Sequence, residues 1–181
     1  MNLKVSKVKV NKELLVNKYL PANYADAFEC VAPISNHVTP DHLQVAFWGS
    51  EKSWIKELFK LRNMLVKPFG LKTSKKESAG SIAMCIEKGI SHHIASVSDR
   101  SPNETILLLD DRHLKAYISM SITEVEDDLK RVTVCTIVHF HNWFGYLYFY
   151  SIELFHSIIV RSMLKRSIRA NLQKDKISHQ M

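Results

Sequence analysis

The sequence has few of the residues that build nucleotide loops, disulfide scaffolds and metal centres. Its five glycines are scattered and form no phosphate-binding loop, dinucleotide fingerprint or serine nucleophile elbow. Paired-cysteine and HExxH metal signatures are also missing. Cys30, Cys85 and Cys135 are odd in number and far apart, and the N-terminus lacks the apolar stretch of a secretory signal. We therefore expect reduced, packed thiols, a cytoplasmic protein and no cofactor.

The middle of the chain carries little net charge, and the excess positive charge lies at the two ends. The net charge is +7, but residues 1–20 carry five lysines and one glutamate, and residues 161–181 carry six cations and one aspartate, so the remainder sums to −2. Solvated ends explain this better than a nucleic-acid-binding face, which mixes cations with stacking aromatics, so no nucleic acid partner is expected.

No repeat or low-complexity linker divides the 181 residues, and a chain of this length buries about 70% of its unfolded surface in one core. We expect a basic lead-in over residues 1–20, a single domain over residues 21–173 and a tail over residues 174–181.

The first half of the domain is predicted to form a strand followed by two helices. Tyr24–Ala32 alternates as a strand should. Thr39, Pro40 and Asp41 match an N-cap, a first helical residue and a first-turn acid, which predicts a helix through about Trp48. Apolar residues at three- and four-residue spacing predict a second, amphipathic helix over Trp54–Val66.

The second half begins with weaker signals and then becomes clearly β. The polar stretch Lys72–Gly80 predicts a loop, and Ile82–Ile86 and His93–Val97 predict short strands. Strands are indicated more strongly in a second set of segments, with turns between them: Thr105–Leu109, Leu114–Thr123 and Val132–Phe140. Both faces of the last of these strands are at least partly apolar, as expected if one face covers a helix and the other lines an interior.

From Trp143 onward the period becomes helical. One stripe predicts the buried face of a long terminal helix: Phe144, Tyr148, Ile152, Phe155, Ile159 and Met163, widened by Leu147, Leu154 and Ile158. Trp143–Val160 is slightly short for a membrane span and contains Glu153. Its aromatics and the basic residues that follow still suit transient contact with a membrane surface.

This order of elements is that of the helix-grip fold of the START and birch-pollen-allergen-like proteins. Several segments also resemble an uncharacterised bacterial family, domain-of-unknown-function family 2867: Leu107–Leu114, Thr136–Asn142, Phe144–Tyr148 and Phe155-His156, with Trp54, Leu61–Asn63 and Phe69–Leu71. The resemblance covers about residues 24–166. It implies an α+β fold in which a curved antiparallel sheet wraps a long C-terminal helix, with two shorter helices after the first strand. It implies no reaction.

His139 and His141 lie two apart on a predicted strand, so they point to one face and could share a ligand or a metal. A metal would need a third ligand, for which His113, Asp110 and His156 are candidates, but the spacing is weak and no metal is expected.

Two further clusters have both a structural and a functional interpretation. One predicted turn contains two carboxylates, a guanidinium and an imidazole, from Asp110, Asp111, Arg112 and His113. This composition suits either acid–base chemistry or a solvated turn. Arg62, in an apolar helical segment, is suited to a structural ion pair or to an anionic ligand head group.

Three functions remain open. The first is binding of a small hydrophobic or amphipathic, lipid-like molecule in a cavity of about 300–1,000 Å³ between the sheet and the terminal helix. Its polar lining would come from six residues: Arg62, His113, Tyr117, His139, His141 and Tyr148. The second is a cyclase- or hydratase-like enzyme with a general base among His139, His141 and His113. The third is a peripheral membrane or protein-interaction module that uses the basic C-terminal helix.

Overall fold

The computed structural model describes residues 2–49, 79–126 and 128–178. Within these ranges the strands are β1 (Ser6–Val8), β2 (Tyr24–Ala32), β3 (Ala95–Ser101), β4 (Glu104–Asp110), β5 (Leu114–Glu126) and β6 (Leu129–Phe140). The helices are a 3-10 helix (Leu15–Tyr19), α1 (Pro40–Gly49), α2 (Ala79–Lys88) and α3 (Trp143–Ser178). The strands form one curved antiparallel sheet in the order β1-β2-β6-β5-β4-β3.

The predicted α+β architecture, with a curved antiparallel sheet and a long C-terminal helix, is confirmed. Tyr24–Ala32 forms a strand, and the helix that Thr39 and Pro40 predict forms as α1, where the Thr39 hydroxyl accepts a hydrogen bond from the His42 backbone N–H at 3.3 Å. The three strongly predicted strands form as β4, β5 and β6. The predicted helix Trp54–Val66 lies outside the described residues.

One face of the sheet is covered by helices. Alternate residues of β5 and β6, including Met120 and Val134, pack against Leu43 of α1 and against Leu164 and Ile168 of α3. All five of these side chains are at most 1% exposed. A second part of this face packs against α2, whose buried residues meet β3 and β4 in a smaller cluster. The helix-covered face therefore holds most of the core.

The N-terminal segment covers the opposite face of the sheet. Val16 packs against Ala27, Ile106, Cys135 and Ile137, and each of these side chains is fully buried. β1 also extends the sheet by pairing antiparallel with β2. The basic lead-in thus keeps its lysines largely in solvent, as expected, while its apolar residues complete a second core layer.

Two weaker expectations were wrong. Ile82–Ile86 lies within α2 and is not a strand, because Ile82, Cys85 and Ile86 follow helical spacing and bury together while Met84 stays 46% exposed. The strand expected from His93 begins only at Ala95, since His93 has a φ of 47° that an extended chain does not adopt. The three cysteines are buried thiols that are not joined in disulfides.

α3 forms as predicted but buries a different face. Its most buried apolar side chains are Phe149, Val160, Leu164 and Ile168, together with Met163 of the predicted stripe. Leu147 and Ile158, which were expected to widen the stripe, are 43% and 56% exposed. The first turns of α3 are apolar on several sides, so the spacing alone did not identify the side that packs.

Among the described residues, no helix is long and apolar enough to cross a membrane.

A tight contact fixes the start of α3 against the β4–β5 turn. Asn142 is the N-cap, since its side-chain oxygen accepts a hydrogen bond from the Gly145 N–H at 3.2 Å, and its amide donates to the Arg112 carbonyl at 3.2 Å. A Cβ atom on Gly145 would lie 2.3 Å from the His113 carbonyl oxygen and 3.1 Å from Cβ of Phe140. Only a residue without a side chain fits this approach.

We predict that Gly145→Ala destabilises the protein by about 1–3 kcal/mol, because the new methyl group meets backbone that cannot rotate away. Equilibrium unfolding in urea measures the change. Gly49→Ala is the matched control, since a Cβ there meets no atom of the described residues within 4 Å, apart from its chain neighbours and its own helix backbone, and should stabilise α1 by at most about 1 kcal/mol. Equal stability of the two variants would show that the α3 contact is not tight.

Candidate functional site

A shallow, open groove of about 460 Å³ lies on the face of the sheet opposite α3. Antiparallel pairing sets Lys115 opposite His139 and Tyr117 opposite Ile137, so side chains from β5 and the end of β6 point to the same side. His141 follows β6 and also lines the groove. The register of one strand pair therefore brings together three of the six predicted lining residues.

The second wall of the groove is the end of the N-terminal segment, residues 18–21. The Tyr19 ring stacks on Tyr117 with centroids 3.6 Å apart, and the Tyr19 backbone oxygen lies 2.9 Å from Nε2 of His139. The Tyr19 hydroxyl hydrogen-bonds Asp99 and Ser98. Burial, followed by the hydrogen bond to Asp99, raises the pKa of Tyr19, so this hydroxyl stays protonated as a donor. The sequence analysis did not predict that residues 18–21 contribute to a site.

A buried carboxylate on β4 holds the N-terminal segment in place. Glu104 is 3% exposed and accepts hydrogen bonds from the Leu15 N–H at 2.6 Å, the Val16 N–H at 3.1 Å and the Ser119 hydroxyl at 2.5 Å. Two of these donors are the first N–H groups of the 3-10 helix, which have no partner within the helix itself. Glu104 therefore acts as an N-cap supplied by a distant strand, and it positions Lys18 and Tyr19 beside the groove.

We predict that Glu104→Gln destabilises the protein by about 1–3 kcal/mol, because an amide N–H₂ then faces donors that the carboxylate satisfied. Urea unfolding would measure the loss, and hydrogen exchange should show faster exchange of the amides at residues 15–19.

Glu29→Gln is the control, since Glu29 makes a partly exposed ion pair with Arg131 at 3.4 Å, worth about 0–1 kcal/mol. If exchange at residues 15–19 were unchanged in Glu104→Gln, the anchoring role would be wrong.

Charged side chains flank the groove in pairs. Lys18 pairs with Asp99 at one end. At the other end the Asp110 carboxylate meets Nζ of Lys115 and Nε2 of His141, each at 3.1 Å. Burial raises the pKa of Asp110, but hydrogen bonds and charge from His141 and Lys115 outweigh it, so the pKa lies below its ordinary value. The hydrogen bond to Asp110 raises the pKa of Lys115.

The two histidines of the groove differ in what they can do. A carbonyl oxygen only accepts, so His139 must donate its Nε2 proton to Tyr19, and this nitrogen serves a structural contact. His141 directs Nε2 at the Asp110 carboxylate, which favours the tautomer whose Nδ1 holds a lone pair. An imidazole oriented in this way by a carboxylate can accept a proton from, or hydrogen-bond, a molecule in the groove.

We predict that the Asp110 carboxyl titrates below its ordinary pKa and that Lys115→Met shifts the midpoint upward. A lowered folded-state pKa means that ionised Asp110 stabilises the fold above its unfolded pKa of about 4, and that this contribution is lost as the pH falls through the folded-state value. NMR titration of the carboxyl carbon measures both midpoints. Arg112→Met, which removes a cation from the same turn, should leave the midpoint nearly unchanged. A wild-type midpoint at or above the ordinary value would contradict the proposed pairing.

A second polar cluster is buried between β2 and α3. The Asp26 side chain is fully buried, and its Oδ2 accepts a hydrogen bond from the Tyr24 hydroxyl at 2.7 Å. Nε2 of His156 lies 3.3 Å from the same oxygen and 3.4 Å from Oδ1. Burial and the hydrogen bond to Asp26 raise the pKa of Tyr24. Tyr24, Asp26 and Phe28 alternate on the helix-covered face, so a lone acid in an inward strand position was the available sequence signal.

The remaining predicted residues lie away from the groove. His113 packs near Phe144 with centroids 6.3 Å apart, and its Nδ1 is buried without a hydrogen-bond partner among the described residues. Tyr148 is half-buried on α3, and its backbone oxygen accepts a hydrogen bond from Ser151 at 2.7 Å. Arg62 lies outside the described residues. In the described parts of the chain, no three histidine, cysteine or acidic side chains are placed to hold a metal ion.

These features define an α+β protein whose antiparallel sheet carries a long C-terminal helix on one face and a polar groove on the other. The chain belongs to the family described as Protein of unknown function (DUF2867), whose model matches residues 19–163. The match includes every residue that lines the groove except Lys18, and it includes the buried Asp26 cluster. No curated protein and no solved structure gives a significant match to the chain.

Proposed function

We propose that the protein binds a small amphipathic molecule in the groove on the face of the sheet opposite α3. The observation that carries the proposal is the convergence of Tyr117, His139 and His141 with Lys18 and Lys115 around one open space of about 460 Å³. A volume of this size falls within the range of about 300–1,000 Å³ typical of small-molecule sites.

The lining suggests the chemical class of the ligand. Tyr117, stacked on Tyr19, and the apolar residues Leu20 and Pro21 offer a surface for an apolar or aromatic body. The ammonium groups of Lys18 and Lys115 each have three N–H donors, so an ion pair with one aspartate leaves donors for an anionic group. We therefore favour a molecule with a flat apolar part and one carboxylate, sulfonate or phosphate.

The groove is not where the sequence led us to expect a ligand. The cavity expected between the sheet and the terminal helix stays a prediction. The groove lies on the opposite face of the sheet, beside the end of the N-terminal segment. Its ligand would contact residues 18–21 directly, so binding should tighten the attachment of that segment to the sheet.

We predict that anilinonaphthalene sulfonate, which has an aromatic body and one anionic group, binds at the groove about tenfold more weakly to Lys115→Met than to the wild type. The variant loses the ammonium that would pair with the sulfonate. Fluorescence titration measures the affinity, and NMR shift mapping should place the largest changes at residues 18–21, 115–117 and 139–141.

Arg112→Met is the matched control, because Arg112 is exposed in the adjoining turn and does not line the groove. Its affinity should stay within about twofold of the wild type. Shift changes confined to α3, or equal affinities for the two variants, would contradict the proposal. Native mass spectrometry of freshly purified protein then identifies a retained molecule, as an added mass that is lost on denaturation.

A further inference from the structure

The outward face of α3 carries an exposed row of large apolar side chains. The row consists of Trp143, Tyr146, Leu147, Tyr150 and Ile158, which are between 43% and 65% exposed. Steps of three, four and eight residues keep them on one side of an α-helix. The packed side of α3 is supplied by other residues, such as Phe149 and Val160. The outward face is therefore additional to the core, and clustered exposure of this kind marks an interaction surface.

Two aromatic rings of this face, those of Trp143 and Tyr146, are held in place by neighbouring side chains. Trp143 stacks on Phe144 with centroids 4.0 Å apart, and Tyr146 packs against Phe140 in a tilted arrangement with centroids 4.4 Å apart. The Tyr146 hydroxyl also accepts a hydrogen bond from the side chain of Asn23 at 2.9 Å. Little side-chain freedom remains to be lost when the face meets a partner, which favours binding.

Cations continue the same side of the helix toward its C-terminal half. Arg161, Lys165 and Arg169 follow Ile158 at steps of three and four residues, and none of them forms a salt bridge with a residue that the structure describes. Arg161 also lies over the Phe28 ring, with 5.1 Å between its guanidinium carbon and the ring centroid. No anion of the described residues neutralises the charges of Lys165 and Arg169.

We propose that the outward face of α3 binds the surface of an anionic phospholipid bilayer, with the helix lying along the head groups. Tryptophan and tyrosine favour the membrane–water interface, and cations beside them attract anionic lipids. A second copy of the chain is the weaker fit, because each copy carries a net charge of +7 and brings the same cations to the contact. The groove plays no part in this contact.

The test is co-sedimentation of the full chain with vesicles of phosphatidylcholine alone and of phosphatidylcholine mixed with phosphatidylserine. We expect binding to the anionic vesicles only, weakened by added salt. The double variant Trp143→Ser, Tyr150→Ser should bind at least tenfold more weakly. The double variant Lys165→Gln, Arg169→Gln should lose about fivefold for each cation removed.

Matched controls remove the same chemistry elsewhere. Met84→Ser with Ile90→Ser removes exposed apolar side chains from the α2 region, and Lys4→Gln with Lys9→Gln removes exposed cations from the N-terminal segment. Both double variants should bind like the wild type. Thermal unfolding of every variant, followed by circular dichroism, shows whether a loss of binding reflects a loss of fold.

Tryptophan emission gives a second measurement that does not depend on a destabilising change. The difference spectrum between the wild type and Trp143→Phe reports Trp143 alone, and it should shift to the blue with anionic vesicles. Equal binding to neutral and anionic vesicles, or wild-type binding by the aromatic double variant, overturns the proposal. Dimerisation in sedimentation equilibrium, abolished by the aromatic variant and without vesicle binding, would assign the face to a second copy and also overturn it.

Discussion

The central strand pair is apolar on both of its faces, and the rest of the structure depends on covering both. In β6, Val134 and Val138 point toward the helices, while Cys135 and Ile137 point the other way, and all four are at most 1% exposed. An open sheet with one bare apolar face would lose the hydrophobic contribution of that layer. α3 covers one side and the N-terminal segment covers the other. Glu104 holds the N-terminal segment on the sheet through hydrogen bonds, and the groove lies at the end of that segment.

Much of the sheet could be predicted because alternation along a strand is a local property. The same signal was present in the N-terminus, where Leu3 and Val5 are buried and Lys4 is exposed, but the density of lysine suggested a solvated end. The segment combines the composition of a solvated tail with the alternation of a strand, since Lys4 is exposed between the buried Leu3 and Val5, and Lys7 is the exposed middle residue of β1. In this chain the periodicity was the more informative of the two.

Only the part of the candidate site that lies on the β5–β6 strand pair and the residue after it was predicted from the sequence. His139 and Tyr117 share a face because of the β5–β6 register, which short-range pairing makes predictable. Tyr19 meets them across about a hundred residues of sequence, and no local pattern gives such a contact. Asp26 and Glu104 were missed for a related reason, since an acid in an inward strand position indicates burial only after its distant partners are known.

The two surfaces proposed to bind partners lie on opposite layers of the molecule and differ in how they are held. The outward face of α3 belongs to a long helix packed on the main core, so its geometry does not depend on a partner. One wall of the groove is a short segment held by a small apolar cluster and one carboxylate. Anything that contacts Tyr19 and Lys115 together spans that junction, and it must stabilise the attached state of the segment by mass action. The proposed ligand binding would therefore be thermodynamically linked to the order of the N-terminal segment.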